Sequence, residues 1–147
     1  MKVGGYYLDK TVNTHVILSL HLRRFRKTLF LSTLTSYYDI KSGTIQMLFE
    51  NSYIGKNPTK LACSFLVLKL NFAGLRTNST FDVFNVNFHT IFNVSISDFM
   101  DHYQQELGHH FQVIDKSTDA LRNFERLLNA VKWNDYKLYV FIDEYDA

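Results

Sequence analysis

Cysteine, proline and tryptophan each occur once in the 147-residue sequence, as Cys63, Pro58 and Trp133. A lone thiol closes no internal disulfide, and no metal-ligand spacing surrounds it, so a disulfide scaffold and a structural zinc module are both excluded. Sixteen Lys and Arg against fourteen Asp and Glu leave a formal charge of only +2, which argues against a nucleic-acid partner for this segment. No apolar run reaches the ~20 residues needed to cross a bilayer. The start, Met1 to Tyr7, lacks the apolar core of a secretion signal. An intracellular setting without membrane contact is therefore expected. Repeats, low-complexity tracts and linkers are missing as well, which leaves one domain over residues 1–147.

Apolar and aromatic residues are plentiful: 46% of the chain is hydrophobic, with thirteen Phe and nine Tyr. Such a chain folds around a core rather than staying disordered. Apolar runs read as strands near 15–20, 64–72 and 137–142. Residues 64–72 (SFLVLKLNF) are nearly continuous in apolar character, the mark of a strand covered on both faces. Helical spacing appears near 28–40, 95–107 and 118–132, giving an α/β class. In the first helix Phe30, Leu34 and Tyr37/Tyr38 recur as a core stripe, with Leu31 beside them. In the second, Ile96, Phe99, Met100, Tyr103 and Leu107 do so, with Ser95 as cap and Gly108 as stop. In the third, Leu121, Phe124, Leu128 and Val131 point inward. Phe81 to Ile91 fits helix and strand alike, and Ile45 to Phe49 fits a short helical turn. His109 and His110 are adjacent, without a carboxylate at ligand spacing, and read as a solvated pair.

The organising stretch is His21-Leu22-Arg23-Arg24-Phe25-Arg26-Lys27-Thr28, between the apolar run Val16-Ile17-Leu18 and the first helix. A strand, a basic loop ending in Lys-Thr, then a helix is the layout of a phosphate-binding loop. A helix start offers unpaired N–H groups to phosphate oxygens. In that layout Lys27 meets the terminal phosphates and the Thr28 hydroxyl ligates Mg2+. At the far end, Leu138 to Ile142 is a buried-strand run finishing in Asp143 and Glu144. In P-loop ATPases such a strand delivers an aspartate to the magnesium shell and a glutamate that polarises the attacking water.

The segment HLRRFRKTLFLSTLTSYYDI resembles the Walker A region of the AAA-ATPase-like family, whose loop typically reads R-P-R-R-F-G-K-T or -S. Members are fungal and bacterial, and the domain often precedes a PD-(D/E)XK-type nuclease domain. Three further stretches are similar to it: Tyr7 to Thr11, Leu48-Phe49-Glu50 with Tyr53 to Thr59, and Phe141 to Asp146. The resemblance spans almost the whole chain and implies a helix for Phe81 to Ile91. It implies a partial P-loop NTPase (AAA-like) fold, a three-layer sandwich with a mainly parallel sheet, using ATP and Mg2+. It assigns Lys27 and Thr28 to nucleotide, Thr28 and Asp143 to metal, Glu144 to catalysis as base, and Arg23 and Arg24 to loop anchoring or phosphate contact.

The chain also departs from the family pattern. Arg26 stands where glycine lets backbone approach phosphate, and Leu22 replaces a proline. An arginine at a left-handed position costs roughly 1–2 kcal/mol and fills space the phosphates need, so weakened nucleotide binding is expected. Only Val12 to Thr14 separate Asp9-Lys10-Thr11 from the first strand, where the family has a helix. The sequence reads as the front part of an ATPase domain, Walker A near 21–28 and Walker B near 138–144, stopping before the strand that separates them. Self-association or docking of a downstream domain through open strand edges is the expected result. Three functions compete: a degenerate ATPase module with little turnover, a non-catalytic interaction module on the same scaffold, and a nucleic-acid binder through residues 21–27.

Overall fold

The computed structural model describes residues 6–8, 16–18, 27–43, 49–75, 78–108 and 119–144. Its centre is a parallel pair, β3 (Phe65–Asn71) and β4 (Lys137–Asp143), in register from Phe65↔Lys137 to Asn71↔Asp143. Two short strands, β1 (Tyr6–Leu8) and β2 (Val16–Leu18), precede it in sequence. Parallel strands need a long crossover. Here it is helical: α3 (Phe81–His102), α4 (Gln104–Leu107) and α5 (Ala120–Trp133) all lie between β3 and β4.

Alternation along the strands builds the layers. Leu66, Leu68 and Leu70 face one way and join Phe92, Ile96 and Phe99 of α3 and Leu127 and Val131 of α5 in the main core. Phe65 and Tyr139 face the other way, toward α1 (Lys27–Tyr38). There the Tyr38 ring stacks on Tyr139 at 5.3 Å and meets Phe65 edge-on at 5.8 Å. Helix, sheet, helix is thus the order of layers, an α/β arrangement with a parallel sheet.

The described first strand lies apart from this sheet. β2 pairs antiparallel with β1, Tyr7 opposite Ile17, in a separate two-stranded ribbon. One edge of β2 is therefore paired by Tyr6–Leu8, a segment too short to announce itself as a strand.

Helix positions also differ from expectation. α3 runs unbroken from Phe81 to His102, so Ser95 is interior and its hydroxyl donates to the Ile91 carbonyl at 3.2 Å instead of capping. Phe92, Ile96 and Phe99 make its buried face. On α5 the inward residues are Ala120, Asn123, Leu127, Ala130 and Val131, while Leu121 and Leu128 are exposed. Its cap is Asp119, whose Oδ1 accepts the Leu121 and Arg122 N–H groups. On α1, Phe30 is exposed and the buried residues are Thr35 and Tyr37. One further helical turn, α2 (Tyr53–Lys56), follows α1 and is capped by the Ser52 hydroxyl. The turn expected at 45–49 lies mostly outside the described residues.

Candidate functional site

Helix α1 is poorly made for independent stability. Its sequence, KTLFLSTLTSYY, has no acidic residue in the first turn, where a carboxylate would complement the helix dipole. Thr33, Thr35 and Ser36 donate their hydroxyls to the carbonyls four residues back, at 2.8, 2.9 and 3.0 Å, a habit that weakens and bends helices. The helix is fixed at its C-terminal end. Cys63 and Ser64 N–H groups donate to the Tyr37 and Tyr38 carbonyls at 3.0 and 3.1 Å, and Asp39 bridges to Phe65. The N-terminal turn, from Lys27, presents the N–H groups that have no partner within the helix at any helix start.

That turn meets the end of β4. The Thr28 hydroxyl donates to Asp143 Oδ2 at 2.9 Å, across 115 positions of sequence. The other carboxylate oxygen, Oδ1, accepts the Glu144 backbone N–H at 3.0 Å. Both oxygens are therefore held. Glu144 has a φ of 54°, a left-handed conformation uncommon for a residue with a side chain; it turns the chain out of the strand just after the carboxylate. Thr28 and Asp143 sit at the carboxyl end of the sheet, where open α/β folds take their ligands.

Of the residues singled out from the sequence, the fold brings Thr28, Asp143 and Glu144 together. The Lys27 backbone opens α1 one residue from Thr28. Its side chain, with Arg23, Arg24, Arg26 and the rest of loop 21–26, lies outside the described residues, as do His109 and His110. Threonine hydroxyl and carboxylate are hard oxygen donors of the kind Mg2+ takes, and Mg2+ commonly uses one or two protein oxygens with phosphates and water supplying the rest. The donor set thus fits Mg2+. No group of three or more His, Cys, Asp or Glu gathers among the described residues to hold a metal by itself. An open groove along α3, lined by Gly74, Val83, Val86 and Thr90, includes none of these residues.

A second polar cluster gave no sequence signal. Tyr103, just past α3, is buried, and its hydroxyl accepts the Val67 backbone N–H at 2.9 Å. Asp39 is buried beside it and lies 3.5 Å from His102 Nε2. The Lys41 ammonium sits over the Tyr103 ring and 3.1 Å from Glu106 Oε2, an ion pair without hydrogen-bond alignment. Burial pushes the Tyr103 phenol well above its ordinary pKa; the Val67 hydrogen bond works the other way, and the Asp39 and Glu106 carboxylates add to the rise.

Layered helices on a parallel strand pair, with a helix start and an anchored aspartate at the strands' carboxyl ends, define an α/β protein. A family model described as "Predicted AAA-ATPase", the AAA-ATPase-like family, matches residues 1–147, and the chain belongs to that family. No curated protein and no solved structure matches the chain. No helix among the described residues is long and apolar enough to cross a membrane.

Proposed function

We propose that this chain is a nucleotide-binding P-loop module of ATPase type that holds ATP with Mg2+ where α1 begins and β4 ends. The observation that carries the reading is the 2.9 Å hydrogen bond from Thr28 to Asp143, two residues singled out separately, by a loop pattern and by a strand end. In this reading Lys27 neutralises the β- and γ-phosphates beside the α1 start. Thr28 and Asp143 hold Mg2+, which when bound withdraws charge from the phosphate oxygens. Arg23 and Arg24 anchor the loop or touch phosphate, and Glu144 orients the attacking water. The module is degenerate: Arg26 crowds the phosphate position, so affinity is low and turnover negligible.

Isothermal titration with ATP and Mg2+ tests this on three proteins. The starting chain binds weakly, Arg26→Gly binds more tightly, and Lys27→Ala does not bind. No binding by any of the three overturns the reading. Weaker binding by Arg26→Gly overturns only the steric argument, making Arg26 a phosphate ligand. A scaffold for protein contacts without nucleotide is the second reading, favoured by the exposed Val140 and Ile142 side chains on β4.

A further inference from the structure

The start of α5 is held by two side chains of different kinds. Its own Asp119 takes the Leu121 and Arg122 N–H groups on Oδ1. The first helical N–H, that of Ala120, goes instead to α3, where His89 Nδ1 accepts it at 2.9 Å. Ala120 is fully buried, so its N–H reaches water only if the turn moves. One helical turn further along, Asn123 Nδ2 donates to Asn93 Oδ1 at 2.8 Å. His89 with Asn93 on α3, and Ala120 with Asn123 on α5, thus make one polar seam between the two helices.

A backbone N–H can only donate, so the ring nitrogen facing Ala120 carries no proton and the imidazole is neutral, with its hydrogen on Nε2. Protonation would set one N–H against another and place a positive charge at the positive end of the α5 dipole. Along the two helices the nearest charged residues are Asp82 on α3 and Asp119 and Arg122 on α5. Residues 72–75, whose Phe72 stacks on Phe88, carry no charge. The Asp119 carboxylate attracts an imidazolium and Arg122 repels it, but neither gives Ala120 a new acceptor.

We propose that the His89–Ala120 bond is an acid-sensitive latch, and that uptake of one proton by His89 releases the first turn of α5 from α3. Histidine is the side chain that ordinarily changes charge between about pH 5 and 8, so modest acidification is the signal. The bond needs the neutral ring: it is closed at the upper end of that range and opens as pH falls. Leu127 and Val131 keep the rest of α5 in the main core, so the opening is local. It loosens the crossover at the helix that runs on into β4. The latch does not depend on nucleotide binding.

Hydrogen exchange of the full chain at about pH 7.5 and 5.5, corrected for intrinsic rates, reads the latch where it sits. Global stability is a poorer measure, because His102, 3.5 Å from the Asp39 carboxylate, gains attraction from a proton. Amides at the α5 start should exchange about tenfold faster at the lower pH, while those near Leu127 and Val131 hold. His89→Gln, whose side-chain oxygen accepts at either pH, should show no such difference. Proton–nitrogen spectra of the starting chain give a second readout, decisive alone if the variant does not fold. Near neutral pH the His89 ring should carry its hydrogen on Nε2 only, and the Ala120 amide resonance should move as the ring titrates. Equal protection at both pH values overturns the proposal, as does a pH response that persists in His89→Gln. So does a neutral ring with its hydrogen on Nδ1.

Discussion

The Tyr103 hydroxyl stands 2.9 Å from the Val67 backbone nitrogen, in the place where a neighbouring strand would offer a carbonyl. One side chain from the end of α3 thereby closes the outer edge of β3. The buried Asp39 carboxylate helps raise the pKa of the same hydroxyl, and Asp39 joins α1 to the entry of β3. Helix, strand and crossover meet at this phenol.

Removing the hydroxyl has a definite cost. Tyr103→Phe keeps the ring and leaves Val67 N–H without its acceptor, so unfolding free energy falls by about 1–3 kcal/mol. Urea denaturation of the two proteins measures it. A change under half a kcal/mol would mean that the edge does not need this plug.

Alkali acts on the same group. The folded-state pKa of Tyr103 is raised, chiefly by burial, so the folded protein holds the phenol proton more tightly than the unfolded chain does. The associated stability is complete below the ordinary phenol value of about 10 and is lost as pH climbs toward the higher folded value. Denaturation midpoints should therefore decline above about pH 10, and part of that decline should be missing in Tyr103→Phe.

On α5 the core face is set by Leu127, fully buried, rather than by Leu121, which is 58% exposed. Leu127→Ala should destabilise by about 2–5 kcal/mol, whereas Leu121→Ala should stay within about half a kcal/mol. Equal effects would mean that the helix is rotated from the orientation described.

Gly55 sits inside the capped turn α2, and a Cβ added there would lie 1.9 Å from the Phe49 carbonyl oxygen. Backbone cannot yield that much without the turn shifting. Gly55→Ala is expected to lower stability by about 1–3 kcal/mol, read from thermal melts. A neutral outcome would show the turn free to rebuild.

Thr28→Val is a test of the candidate site alone. The position is exposed, so stability should hold within about half a kcal/mol, while the Mg2+-dependent part of any ATP affinity disappears. ATP titrations with Mg2+ and with EDTA compare the two; an unchanged magnesium dependence would separate Thr28 from the metal.

The meeting of Thr28 with Asp143 was legible because each ends a strongly patterned run, one opening a helix and one closing a strand. Pattern was less use where two periods overlapped. Phe84, Val86 and Phe88 alternate like a strand, so pattern alone leaves them open; the family resemblance favours helix, and Phe88 packs on Phe72 and Phe92 from within one long helix. On α5, leucines at 121, 127 and 128 offer two apolar stripes, and tertiary contact chose the one shared with Asn123 and Ala130. Tyr103 resembles any core aromatic in sequence, since nothing local says that its hydroxyl will meet a strand edge. The pairing of β1 with β2 rests on three residues a side, too few for an alternation to be read.

Helix α1 is clamped by backbone hydrogen bonds at Tyr37, Tyr38 and Asp39, whereas at its exposed start the described tie is the Thr28 side chain on Asp143. A helix held more firmly at one end frays from the other, so amide exchange along it should quicken toward Leu31. The less firmly held end is the one that faces the candidate phosphates. Any anion settling there would steady the first turn as it binds, and its affinity would carry the cost of that ordering. The helix would then report occupancy through its own protection pattern, slow at Tyr38 in either state and slow at Leu31 only when the site is filled.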